Sequence, residues 1–192
     1  MDILEGVLDE FKKLAAIPRA NGHEQAVSDF LKKYLTDAGF SVVQDAKNNI
    51  IADKPATKGY ENAPRTILQG HMDMVAVGEE GYDYDPLKDP IKLVRTDKYL
   101  EAEGTSLGAD DGIGVAEGIY LMKNAKDHGP LRLIVTTDEE RGMTGAIALD
   151  AKHLTDAQFL INCDSENYDE LTVGSAGGID LSFERMLRRE AP

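Results

Sequence analysis

The chain has 192 residues, 42% of them hydrophobic and 29% charged, which suits one folded domain, or one and the beginning of a second, and excludes a disordered chain. A formal net charge of -14 excludes a broad phosphate-binding surface, so no nucleic acid partner is expected, and the single Cys163 excludes an internal disulfide framework. No apolar run approaches the ~20 residues of a membrane span, and MDILEGVLDEFKKL has no basic-then-apolar signal layout, so the expected location is the cytoplasm, away from membranes.

In chain order, Ile3, Leu4, Val7, Leu8, Phe11, Leu14 and Ala15 recur at helical spacing, and Pro18 stops the pattern. A second helix is expected from Ala26, Val27, Phe30, Leu31, Tyr34 and Leu35, with Asn21 as its cap and Gly39 as its end. FSVVQDAKNNIIADK reads as two short strands around a polar turn, RTILQGH as a buried strand, and IKLVRTDKYLEAEG as a hairpin. ADDGIGVAEGIYLMKNA is a helix, PLRLIVTTDE a strand, MTGAIALD a short helix and FLINCDSE a strand, while DELTVGSAGGIDLSFERM gives two more strands joined by glycines. Helices alternating with apolar strands predict an α/β fold: a mixed, mostly parallel sheet flanked by helices. Gly177-Gly178 is the best candidate for a boundary.

Four short motifs, GHMD (70 to 73), GADDG (108 to 112), DEERG (138 to 142) and NCDSE (162 to 166), fall at the ends of expected buried strands or at the start of a helix. Sites in open α/β sheets gather outside the strand carboxyl ends, so these motifs can converge on one point. One imidazole among many carboxylates suits Zn²⁺, Mn²⁺ or Co²⁺ better than an all-oxygen Ca²⁺ site. Two ions ~3.5–4 Å apart need a bridging carboxylate. Asp110 is the natural bridge, because a helix N-terminus would keep its carboxylate ionised.

Gly112, Gly114 and Gly118 in the same helix each cost about 1 kcal/mol against alanine, so they imply a close approach of backbone or tight packing on the sheet. His23, His128 and His153 read as local or loop histidines, and Cys163 as a small buried hydrophobe. GTSLG (104 to 108) matches a nucleophile elbow around Ser106, but the preceding KYLEAE is too charged for the central strand such an elbow needs. GIGVAEG does not follow a strand and misses the dinucleotide fingerprint.

Taken in order, the motifs resemble the two-metal aminopeptidase and carboxypeptidase family that includes carboxypeptidase G and succinyl-diaminopimelate desuccinylase. LQGHMDMV, GTSLGADDGIGVA, TTDEERGMTGA and NCDSENYDELTVGSAGGID are similar to its aminoacyl-histidine dipeptidase branch, peptidase D, and the likeness runs from about residue 5 to the end. The resemblance implies a two-zinc dipeptidase of the zinc-exopeptidase fold acting on small peptides of the Xaa-His type. A deacylase of the same family, or a non-catalytic metal-binding fragment, are the alternatives.

The same resemblance implies that His71 and Asp164 hold one metal, Glu140 holds the other and Asp110 bridges them. Asp73 would orient His71, and Glu139 would be the general base that takes a proton from the attacking water. The family motif usually reads GADNG; Asp111 stands here in place of the asparagine, which leaves Asp110 and Asp111 both open as the bridge. It further implies that residues 1–178 are the N-terminal part of the catalytic domain and 179–192 the beginning of a lid domain through which the parent would dimerise. A final metal-binding histidine expected after the lid has no counterpart motif, which predicts an incomplete, weakly active or inactive fragment with uncovered sheet surface.

Overall fold

The computed structural model describes residues 2–165, 169–174, 177 and 181–187. Helix α1 (Ile3–Ala15) buries Val7, Phe11, Leu14 and Ala15, the stripe its spacing predicts. Helix α2 (Gln25–Asp37) begins later than expected, with Glu24 rather than Asn21 at its N-cap. Asn21 is otherwise engaged: its backbone N–H donates to Met74 O, and Ala20 bridges to Met74 in parallel. At the other end Gly39 takes a left-handed φ of +91° and donates its N–H to Thr36 O, as the closing glycine of a helix does.

Strands β1 (Ser41–Gln44), β2 (Ile50–Lys54), β3 (Thr66–His71), β6 (Leu131–Thr136) and β7 (Phe159–Asn162) form one sheet in the order β1-β2-β6-β3-β7. A hairpin of β4 (Leu93–Arg95) and β5 (Leu100–Ala102) stands apart. The sheet is mixed, with β1-β2 and β2-β6 antiparallel and β6-β3 and β3-β7 parallel. Parallel strands are confined to the half that carries the candidate motifs, with β3 between β6 and β7.

Strand alternation divides the core. Ile50, Ala52, Leu68, Leu133 and Val135 face α1, α2 and α3 (Ala109–Asn124). Ile51, Ile67 and Ile134 face the other way, against Leu149 and Ala157. Those two residues flank the 3₁₀ turn Ala151–His153 that follows α4 (Thr144–Ala148).

Edge strand β7 leaves Phe159, Leu160 and Ile161 about half exposed, the uncovered apolar edge that the sequence anticipates. Among the described residues no strand follows Asn162, so the two further strands expected there are not formed in that part; Ser175, Ala176, Gly178 and half of 179–192 lie outside the described residues. No helix among the described residues is long and apolar enough to cross a membrane.

Candidate metal centre

Three neighbouring parallel strands end at the same edge, and each hands a motif to it. His71 closes β3, the Glu139-Glu140 pair follows β6, and Asp164 follows β7. The fourth motif arrives from the turn before α3. There Gly108 has a left-handed φ of +67°, and Asp110 and Asp111 keep non-helical dihedrals, so the regular helix starts only after them. Asp110 thus stands at the N-terminus of α3, where the sequence places it, in the irregular turn that enters the helix. The Asp110–Asp111 peptide is cis.

The two adjacent aspartates diverge. Asp110 is exposed and brings Oδ1 to 2.9 Å from His71 Nε2. Asp111 is buried and turns back under β3, where its Oδ2 accepts the backbone N–H of His71 at 3.0 Å. Burial, aided by Asp164 and Asp110, pushes the Asp111 carboxyl up to about 7 against the opposing bond from His71.

His71 is 1% exposed and its ring is framed on both sides. Nδ1 lies 3.1 Å from the carbonyl oxygen of Asp73 and 3.4 Å from its Oδ1, while Nε2 faces Asp110 and, at 3.8 Å, Oδ2 of Asp164. Burial alone would lower the imidazole pKa, but Asp73 and Asp110, joined by Asp111, raise it to about 9. Asp73 is fully buried, and its two carboxylate oxygens accept the backbone N–H groups of Glu139 and Glu140 at 3.1 and 3.2 Å. Burial would raise the Asp73 carboxyl, yet His71 and those two N–H groups hold it below the usual range.

The glutamates are half-buried, and burial raises both carboxyls. Among charged neighbours Glu139 responds most to His71 and then Asp164, whereas Glu140 responds first to Asp110.

His71, Asp110 and Asp164 form a group whose ligand atoms lie within 4.8 Å of one another, the only such group of three among the described residues. One imidazole nitrogen and two carboxylate oxygens make a donor set that fits one Zn²⁺, or Mn²⁺ or Co²⁺. None of His23, His128 or His153 joins it. His23 is exposed, His153 gives its carbonyl oxygen to Arg132, and His128 sits in a loop but is buried against Thr57 and Gly129.

The Ser106 hydroxyl donates to Val75 O and accepts the Val77 N–H, so it fastens two loops rather than pairing with a histidine. Cys163 is half-buried rather than enclosed, and burial pushes its thiol up to about 11. The residue that spacing does not reveal is Arg19, buried beside the site with its guanidinium on the carbonyl oxygens of Met72, Asp73 and Gly108.

Residues 67–186 match the peptidase family M20/M25/M40. The cytosol non-specific dipeptidase of Escherichia coli (strain K12) is 40% identical over 184 residues, which are 95% of this chain and 38% of that protein. The crystal structure of aminoacylhistidine dipeptidase from Vibrio alginolyticus superposes with a TM-score of 0.81 at 37% identity, covering 88% of this chain and 35% of that one. Aminopeptidase PepT from Bacillus cereus superposes with a TM-score of 0.69 at 29% identity, covering 85% and 44%. The chain thus spans less than half the length of each of these relatives.

Proposed function

The chain belongs to the peptidase family M20/M25/M40, and from that premise we propose that it forms the N-terminal, metal-binding part of the catalytic domain of a two-zinc dipeptidase that hydrolyses short peptides of the Xaa-His type. The observation that carries this reading is the convergence of His71, Asp110 and Asp164 beside a glutamate pair held by Asp73. The substrate class is supported by the likeness to a dipeptidase at 40% identity and to an aminoacylhistidine dipeptidase at 37%. Residues 1–178 belong to the catalytic domain in this reading, and 179–192 lead into a lid through which the whole protein dimerises.

In this reading His71 and Asp164 would hold one ion and Glu140 a second, with Asp110 the carboxylate that both would share. Asp110 is preferred over Asp111 because its carboxylate faces His71 Nε2, whereas Asp111 is occupied by the His71 backbone. Zinc held by these residues would supply a Lewis acid for the scissile carbonyl and would make the attacking water more acidic. Glu139 accepts the proton of that water; a carboxyl raised by burial is the better base, since the proton it takes is held rather than lost. Asp73 takes the Nδ1 side of His71, which leaves the Nε2 lone pair for the ion.

Zinc titration of the metal-free chain, followed by assay of the whole protein against Xaa-His dipeptides and N-acyl amino acids, tests the reading. One tightly bound ion and a weaker second are expected, with the tight one lost in His71→Ala and dipeptides preferred. Failure to bind any ion, or preference for N-acyl amino acids, would overturn it.

A further inference from the structure

Arg19 lies between α1 and α2, where its backbone is pinned to the chain leaving β3: Met74 N–H donates to Arg19 O at 3.1 Å. Its side chain turns inward and is 2% exposed. Nη1 donates to the carbonyl oxygens of Met72 at 3.1 Å and Asp73 at 3.3 Å, and Nη2 donates to that of Gly108. Met72 and Asp73 directly follow His71, and Gly108 precedes Asp110 by two residues. The guanidinium therefore joins the two segments whose side chains meet at His71 Nε2 and Asp110 Oδ1.

The surroundings are cut to fit it. A Cβ at Gly108 or at Gly112 would stand 2.5 Å from Nη2, so neither position accepts a side chain while Arg19 holds its place. Stability alone does not account for such a residue. Burying a cation is costly, and Nε has no hydrogen-bond partner among the described residues, so an apolar side chain of similar volume would be the cheaper filler. An apolar side chain cannot hold carbonyl groups of two segments, and a lysine ammonium is a compact charge without the planar fork that reaches both. Burial lowers the Arg19 pKa to about 10, with Asp73 and Asp111 opposing, so the group stays charged at neutral pH.

We infer that Arg19 is a positioning residue for the metal centre, setting the distance between His71 and Asp110 by tying the exit of β3 to the entry of α3. The inference rests on the proposed reading of that site. It reaches the glutamates as well, because the Asp73 held by Arg19 is the acceptor for the N–H groups of Glu139 and Glu140.

The test compares Arg19→Met and Arg19→Lys with Met122→Ala, a core change nearly three turns further along α3. Amide hydrogen exchange is measured on the metal-free proteins, and Co²⁺ is then titrated while its visible absorption is followed. Both Arg19 variants are expected to bind Co²⁺ ~10-fold or more weakly with an altered spectrum, Arg19→Lys less severely. Both are also expected to speed exchange at Glu139 and Glu140 while α2 amides stay as in wild type. Met122→Ala should lower global stability and leave the spectrum and the local exchange pattern unchanged.

Wild-type affinity, spectrum and local exchange in Arg19→Met would overturn the inference, as would equal changes in Met122→Ala. Should Arg19→Met fail to fold, Arg19→Lys decides by the same measures. A wild-type chain that takes up no Co²⁺ would overturn the metal reading instead, and the exchange comparison would still decide for or against Arg19.

Discussion

Asp73 Oδ1 stands 3.4 Å from His71 Nδ1, and the same carboxylate accepts the backbone N–H groups of Glu139 and Glu140. One buried anion thus orients the imidazole from β3 and the loop from β6. Its place explains how two neighbouring glutamates can face one site: past the end of a strand the pleat no longer sends them to opposite faces, and the Asp73 carboxylate holds both backbones.

Asp73→Asn should therefore impair more than one element. The amide can accept one of the two N–H bonds but offers no charge to the imidazole and turns a donor toward the other. Metal affinity is expected to fall ~10–100-fold, measured by competition with a chromophoric chelator. A loss smaller than twofold in a folded variant would contradict the role given to Asp73.

Asp110 and Asp111 are adjacent in sequence and differ in burial and orientation, which makes them a matched pair for substitution. Asp110→Asn removes an anionic oxygen facing His71 Nε2 and should abolish tight ion binding. Asp111→Asn keeps a carbonyl oxygen for the His71 N–H and relieves a buried carboxyl, so ion binding should stay within a few-fold of wild type. Isothermal titration of both variants with Zn²⁺ decides; the reverse order would exchange their roles.

Away from the site, Glu10 gives the protein a defined sensitivity to acid. It is 5% exposed and receives Lys123 Nζ at 2.7 Å, Tyr34 Oη at 2.8 Å and Lys13 Nζ at 3.1 Å, so it joins α1 to both α2 and α3. Burial would raise its pKa, but these three donors together lower it below 4.5. A carboxyl depressed in the folded state contributes stability above its unfolded pKa, and that contribution is lost as pH falls through the folded value. Urea unfolding of wild type and Glu10→Gln should thus differ by about 1.5–3 kcal/mol at pH 7. The curves should converge below pH 4.5; a difference independent of pH would refute the account.

The elements were legible because their signals are local. Apolar residues at helical spacing give α1 and α2, and β-branched runs bounded by turns give β2, β3 and β6. His71, Asp110, Glu139, Glu140 and Asp164 stood out because each lies at the end of a strand, just past one or at the start of a helix, where the topology of a parallel sheet gathers them. What could not be read depends on contacts remote in sequence. Asn21 looks like a helix cap, but Met74 claims its backbone. Arg19 is a lone arginine in a loop, and no spacing separates it from a solvated charge. The opposite orientations of Asp110 and Asp111 arise from the backbone path into α3, which sequence periodicity does not encode.

Gly112 and Gly118 lie on the same helix and should answer differently to alanine. In an isolated helix either change would gain about 1 kcal/mol. At Gly118 a Cβ would meet only the Leu133 Cδ1 methyl, at 2.6 Å, with the next atoms at 3.9 Å, and that methyl ends a flexible side chain. At Gly112 it would meet Arg19 Nη2 at 2.5 Å and Phe11 Cε2 at 2.9 Å, both fixed by their surroundings. Overpacking of a rigid site costs about 1–3 kcal/mol and should outweigh the propensity gain. Gly118→Ala is therefore expected within about 1 kcal/mol of wild type in urea unfolding, and Gly112→Ala clearly below it. Displacing the guanidinium also frees the carbonyl groups that it holds, so Gly112→Ala alone should weaken Zn²⁺ binding. Equal behaviour of the two variants in both measurements would show that the absence of a side chain at 112 has no bearing on the arginine.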